Sequence, residues 1–142
     1  MIIENFRHIV WDFNGTLLDD FDLTVDLVNS ELNEHSLPLI SPEKYREVFG
    51  HPVYKFYERI GFDINRHDFE LMSQKFHDDY ELRIDECKLH EGVHEILNYC
   101  RELGKSQSVL SALPHDILIG LIQKYSLVCY FEHVQGAANS AA

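Results

Sequence analysis

Cysteine is scarce and poorly placed for a structural role. There are three, Cys87, Cys100 and Cys129, with no CxxC pair. An odd count at that spacing fits neither a disulfide framework nor a zinc knuckle. Free thiols in a reducing compartment are the reading that remains. Basic residues are also few: 12 Lys and Arg stand against 24 Asp and Glu, a formal charge of -12. Such a field repels phosphate backbones and argues against a nucleic-acid partner. A mobile anionic substrate would need a locally positive site, from a bound metal ion or from helix N-termini. No run approaches the roughly 18 apolar residues of a membrane span, so no membrane partner is expected. The opening residues, Met1-Ile2-Ile3-Glu4-Asn5, show no basic n-region and no long apolar h-region, so no signal peptide is expected. The expected location is the cytoplasm. What is present is ordinary: 142 residues, 45% hydrophobic and 25% charged. That suffices for one core, as one domain or one domain with an insertion.

The stretch IVWDFNGTLLDD, residues 9–20, carries the first strong signal. Ile9, Val10 and Trp11 are contiguous and β-favouring, which predicts a short strand over residues 7–12. From Phe21 the period becomes helical, with Phe21, Val25, Val28 and Leu32 on one stripe, ended by Pro38. Ser41-Pro42-Glu43 starts another helix, with serine as N-cap and proline in the first turn. Gly50-His51-Pro52 interrupts the chain. Val53, Phe56, Tyr57 and Ile60 form a short stripe, and Phe69, Met72, Phe76, Tyr80 and Ile84 a longer one. Residues 91–103 read as a helix with Gly104 as its C-cap. Residues 106–111 read as a strand ending in a hydroxyl, Pro114 opens a further helix, and residues 130–135 read as a last short strand.

The order is strand, several helices, then helix–strand–helix–strand. The later alternation predicts an α/β fold with a Rossmann-like parallel sheet and crossover helices. The helices between residues 19 and 86 have no strand among them. They are expected to be an insertion over the C-terminal end of the first strand, where open α/β sheets bind ligands.

Asp12 falls at that strand end. Gly15 allows a tight turn there and leaves nearby N–H groups for an anion. A carboxylate so placed can attack phosphorus and form an acyl phosphate, and it can bind Mg²⁺. An ordinary turn aspartate explains its spacing about equally well.

Asp12-Phe13-Asn14-Gly15-Thr16-Leu17-Leu18 resembles the first motif of the haloacid dehalogenase superfamily, usually written DxDGT. Val109-Leu110-Ser111-Ala112 resembles its second motif, an apolar strand ending in Ser or Thr. Leu89-His90-Glu91-Gly92-Val93 is similar to the segment where such chains return from a helical cap to the core. The resemblance covers nearly the whole chain and is nearest to the phosphoglycolate-phosphatase-like branch. It implies a core of residues 1–17 and 88–142 with a cap of residues 18–87. It implies Mg²⁺-dependent hydrolysis of a small phosphorylated metabolite. Asp12 would be the nucleophile and a metal ligand, and the backbone carbonyl of Asn14 another ligand. Ser111 and backbone groups around Phe13, Gly15, Thr16 and Ala112 would hold the phosphoryl group. His51, in a cap loop, would face the substrate.

Two departures accompany the resemblance. Phosphatases of this kind carry a second Asp two residues after the nucleophile, to protonate the leaving oxygen and then activate water. Here that residue is Asn14, which exchanges no proton in this way. General acid–base help is worth about 10²–10⁴-fold, so slow turnover is expected. The family's third motif, a lysine, and its fourth, an acidic pair, have no counterpart after Ser111. The chain resembles the first two-thirds of a family member. The first strand would then have an unpaired side, an exposed edge that invites association. A catalytically impaired binding or interaction module is therefore the rival of the phosphatase reading.

A remoter rival is a zinc hydrolase, because His90-Glu91-Gly92-Val93-His94 fits H-E-x-x-H. On one helix the two histidines would share a face. Gly92 weakens that helix by up to about 1 kcal/mol, and Leu89-His90-Glu91 is better placed just ahead of it. Asp19 and Asp20 could touch a metal or substrate, although acids at a helix N-terminus are favoured by the dipole alone.

Overall fold

The computed structural model describes residues 2–138. Its elements run β1 (His8–Trp11), β2 (Leu18–Asp19), α1 (Phe21–Glu34), α2 (Pro42–Val48), α3 (Val53–Arg59), α4 (Phe69–Arg83), β3 (Lys88–Leu89), α5 (Val93–Glu102), β4 (Ser106–Pro114), α6 (His115–Lys124) and β5 (His133–Ala137). The chain divides into two units. One is the described chain up to Asp20 and from Cys87 onward; the other is Phe21–Glu86.

The first unit is an α/β layer. Its sheet has the order β1-β4-β5, and both pairings are parallel, with Trp11 opposite Val109 and Val109 opposite Val134. The crossover helices α5 and α6 bury Leu97, Cys100, Leu118, Leu121 and Ile122 beneath it, together with Val109 and Leu127. Gln107 is the polar exception in this core. Its amide donates to the Leu97 carbonyl at 3.0 Å, and its oxygen accepts from Trp11 Nε1 at 2.9 Å. The buried amide is therefore satisfied and ties β1, β4 and α5 together. Burial pushes the Cys100 thiol above its usual pKa, which disfavours the reactive thiolate. Gly104 follows α5 at φ +70°, the left-handed position glycine fills without strain.

The second unit is all helical. Val25, Val28 and Leu32 of α1 pack with Tyr45, Phe56, Tyr57 and Met72; all but Tyr45 belong to the stripes read from the sequence. Ser41 caps α2, its hydroxyl accepting from Lys44 N at 3.1 Å. Asn29 bonds both the N–H and the carbonyl of Ile40, fixing the loop after α1. Lys75 lies 3.3 Å from the buried Glu31 and 2.9 Å from Glu34. Its bonds with Glu34 and Glu31 hold its ammonium above the usual lysine range. Burial, aided by Glu31, pushes Tyr57 up to about 12.

Three details differ from the sequence expectation. β4 continues past Ser111 to Pro114, with a register irregularity between Leu110 and Pro114; Leu113 is buried there. The last strand begins at His133, because Val128–Tyr130 form a 3-10 turn. β2 and β3 form an antiparallel ribbon pairing Leu18 with Leu89 and Asp19 with Lys88. Two residues are too few to show an alternating pattern.

β5 lies tight against the end of β4. A Cβ on Gly136 would come within 2.6 Å of both His115 Cα and the Leu113 carbonyl oxygen. These are backbone atoms, so the strands must part to admit it. Gly136→Ala is expected to cost about 1–3 kcal/mol, read as a lower urea midpoint at unchanged slope.

Candidate active site

The side chains singled out in the first unit meet at the C-terminal ends of β1 and β4. The strands are parallel and Trp11 sits opposite Val109, so Asp12 and Ser111 emerge at the same end of the sheet. The chain turns directly after Asp12. The Phe13 carbonyl accepts from the amides of Thr16, Leu17 and Leu18 at 3.2, 3.0 and 2.9 Å. Gly15 adopts φ +70° within this turn. An ideal Cβ there would make only an ordinary contact with Asp20 Oδ1, at 3.4 Å, so it is the backbone angle that favours glycine. The Phe13 side chain is fully buried. It anchors the turn from below and leaves only its backbone for a ligand. The amides of Thr16 and Leu17 are engaged within the turn, so it offers an anion fewer N–H groups than the glycine alone suggests.

Asp12 is exposed, with Oδ2 accepting from the Thr16 hydroxyl at 3.0 Å. The half-buried Asn14 accepts on Oδ1 from the Ser111 hydroxyl at 2.8 Å. Ser111 is buried, and its oxygen also accepts from Leu113 N at 3.1 Å. The Ser111 proton is therefore directed at Asn14 and its lone pair at the β4 backbone. A carboxylate, a neutral amide and an oriented hydroxyl thus sit together, and Ala112 is exposed beside them.

His115 opens α6 at the same end of the sheet. Gly136 N donates to its Nδ1 at 3.2 Å, so the neutral ring carries its proton on Nε2. Sequence reasoning passed over this histidine; its place directly after the strand-ending Pro114 was the available signal. His51 lies in the helical unit just ahead of α3, exposed, its ring edge-on to Phe49 at 5.8 Å.

For a metal, Asp12 and Asn14 at this end of the sheet supply oxygen donors. Mg²⁺ is commonly held by one or two carboxylates, waters and substrate phosphate. The exposed Asp12 carboxylate and the Asn14 carbonyl match the protein's part of such a set. Among the described residues no three His, Cys, Asp or Glu side chains gather as a metal-holding group. The H-E-x-x-H sequence does not form a zinc helix. Gly92 takes φ +82° and caps α5 at its N-terminus, so His90 and Glu91 precede the helix and only His94 lies on it. His90 instead lies 3.7 Å from Asp19. Asp20 directly precedes α1, beside Gly15. No helix among the described residues is long and apolar enough to cross a membrane.

The profile of the haloacid dehalogenase-like hydrolases matches residues 9–141. The chain is 28% identical over 138 residues to a phosphoglycolate phosphatase of Caulobacter vibrioides, a match spanning 94% of this chain and 58% of that protein. Among solved structures, a haloacid dehalogenase-like hydrolase of Streptococcus pneumoniae superposes with a TM-score of 0.72 at 14% identity. That match covers 99% of this chain and 65% of the other. Protein tyrosine kinase A of Mycobacterium tuberculosis superposes with 0.73 at 19% identity, covering 96% and 62%. The chain thus spans less than two-thirds of each of these proteins. A protein named as a kinase shares the architecture, so the fold alone does not fix the reaction.

Proposed function

The chain belongs to the haloacid dehalogenase-like hydrolase family, and on that premise we propose that it carries the nucleophile half of a phosphatase acting on a small phosphate ester. The observation that supports this most directly is the exposed Asp12 beside the Ser111–Asn14 pair, bonded at 2.8 Å. An Asp12 carboxylate oxygen attacks phosphorus, the bond from phosphorus to the ester oxygen breaks, and that oxygen leaves with the electron pair. Water then attacks the aspartyl phosphate, the acyl O–P bond breaks to restore the carboxylate and release inorganic phosphate, and the water's proton passes through solvent to balance the ester oxygen that left. Mg²⁺, held by the Asp12 carboxylate and the Asn14 carbonyl, would offset the charge of an anionic ester. The Ser111 hydroxyl, already oriented, turns to a phosphoryl oxygen. Backbone groups of Phe13, Gly15, Thr16 and Ala112 line the same end of the sheet. The proposed setting is the cytoplasm, in keeping with the three free cysteines.

Asn14 shapes the kinetics. p-Nitrophenolate leaves without needing a proton, so the first step with p-nitrophenyl phosphate survives the amide. The second step needs its water activated and does not. The expected result is a Mg²⁺-dependent burst of about one nitrophenolate per chain, followed by slow turnover. Mass spectrometry should place one phosphoryl group on the Asp12 peptide, and Asp12→Ala should show neither burst nor adduct. An unchanged burst in Asp12→Ala would remove the reading. Phosphoglycolate, the substrate in the Caulobacter protein's name, is the first natural compound to compare.

The same amide supports a second reading, a binding module that holds a phosphorylated ligand without turning it over. Saturable binding of a phosphate ester with no burst and no adduct would favour it.

A further inference from the structure

Two histidine rings meet in the helical unit. His35 directly follows the last turn of α1, and His67 directly precedes Asp68, the N-cap of α4. Their ring centroids are 4.8 Å apart and their planes close to perpendicular, at 81°. The buried Phe62 packs edge-on against both, at 5.3 Å from His35 and 5.4 Å from His67. Both histidines are half-buried, so the pair has an apolar wall on one side and access to water on another.

The backbone holds both rings in the same way. His35 Nδ1 lies 3.0 Å from the Glu31 carbonyl oxygen and 3.4 Å from the Glu31 carboxylate. His67 Nδ1 lies 2.9 Å from the Asp63 carbonyl oxygen, again four residues back, and 3.1 Å from Asp63 N. A carbonyl oxygen only accepts, so the tautomer that satisfies it carries its proton on Nδ1 and a lone pair on Nε2. At His67 the Asp63 N–H favours the opposite tautomer, and an ion on Nε2 would select the first. No hydrogen bond among the described residues engages either Nε2. Ligating histidines are held in this manner, with one ring N–H given to a carbonyl or carboxylate and the other nitrogen left for metal. The neighbouring carboxylates are already engaged. The buried Glu31 lies 3.3 Å from Lys75, and Asp63 accepts from Asn65 N at 3.0 Å and lies 3.3 Å from Arg66.

We propose that His35 and His67 bind one Zn²⁺ ion through their Nε2 atoms, with water in the remaining positions. Two imidazoles bound at about 2.0 Å to one tetrahedral ion have ring centroids about 5 Å apart, and this pair already stands at 4.8 Å. No third His, Cys, Asp or Glu joins them among the described residues, which is why water completes the set. Neutral imidazoles suit Zn²⁺, whereas Mg²⁺ takes oxygen ligands, so this site does not compete for the ion proposed at Asp12. The bound ion ties the chain after α1 to the loop ahead of α4 and stabilises the helical unit. The proposal stands whether or not Asp12 is a nucleophile.

The test titrates Zn²⁺ into the full chain in excess Mg²⁺, by calorimetry, and follows the imidazole nitrogens by ¹⁵N NMR. The expected result is one Zn²⁺ per chain, with the Nε2 resonances of His35 and His67 shifting together and ahead of those of the other histidines. His35→Gln and His67→Gln should each weaken binding at least tenfold, whereas His77→Gln, an exposed histidine of α4, should leave it unchanged. At free Zn²⁺ ten times the measured Kd, the unfolding equilibrium constant of the wild type should fall about tenfold, an effect lost in both glutamine variants. Binding of wild-type strength in either variant overturns the proposal. So does a titration in which Zn²⁺ goes to the free thiols and leaves both imidazoles unmoved, and so does failure to bind by about 1 mM free Zn²⁺. The NMR readout needs no variant, so the proposal stays testable if a substitution unfolds the chain.

Discussion

Asn14→Asp raises steady-state hydrolysis of p-nitrophenyl phosphate by about 10²–10⁴-fold, the range that a positioned general acid–base contributes. The geometry makes this substitution unusually clean. Asn14 Oδ1 already accepts the Ser111 hydroxyl at 2.8 Å, and a carboxylate oxygen in the same place accepts it at least as well. The hydroxyl is in turn fixed by Leu113 N, so little needs to move. What changes is that the side chain gains a basic oxygen able to take a proton from water.

Aspartate at this position should also leave a mark on the pH profile. Activating water needs the ionised form, and protonating a poor leaving group needs the neutral one. Asp12 close by opposes ionisation, as does partial burial, while the Ser111 bond favours it. Turnover of an alkyl phosphate by the variant should therefore be bell-shaped, whereas the wild-type profile lacks the limb belonging to residue 14. The covalent adduct on Asp12 should drain away in the variant, because its hydrolysis is the step that gains. A variant that binds Mg²⁺ and phosphate ester yet turns over no faster than wild type would show that groups beyond the Ser111–Asn14 pair set the rate.

The sequence made the strand-end aspartate legible because a strand, a carboxylate and a glycine turn follow one another within seven residues. The helical stripes were legible for a similar reason: Val25, Val28 and Leu32 repeat at the helical period and end in the core. The Ser111–Asn14 bond was not legible, since it joins residues 97 apart and depends on the register of β1 on β4. Nor was the engagement of the Thr16 and Leu17 amides by the Phe13 carbonyl. A glycine turn announces a change of direction, not where its N–H groups go. The β2–β3 ribbon escaped because two-residue strands have no period. Val10 and Leu110 look like core residues in any local window, yet they are 59% and 57% exposed; which face of a strand is buried depends on the helices packed against the sheet, not on the strand's own sequence.

Phe13→Ala should be the most damaging single change near the site, at about 3–5 kcal/mol. Phe13 is fully buried and sits between Asp12 and Asn14. Its carbonyl gathers three amides, at 3.2, 3.0 and 2.9 Å, and its ring holds that carbonyl in place. A domain of ordinary stability has only about 5–15 kcal/mol in total, so the loss would be plain in a urea titration. Val10→Ser, three residues earlier in the chain but 59% exposed, should change stability by no more than about 0.5 kcal/mol. The contrast reverses what hydrophobicity along the sequence suggests, since Val10 belongs to the contiguous apolar run Ile9-Val10-Trp11 whereas Phe13 lies beyond the aspartate that ends it. Should Phe13→Ala cost less than 1 kcal/mol, the turn would be held by its hydrogen bonds alone, and the buried ring would be no anchor. If the cost is as large as expected, the adduct on Asp12 should also fall at urea concentrations that wild type survives. The side chain that fixes the fold at this strand end is the same one that presents the carboxylate and the amide on either side of it.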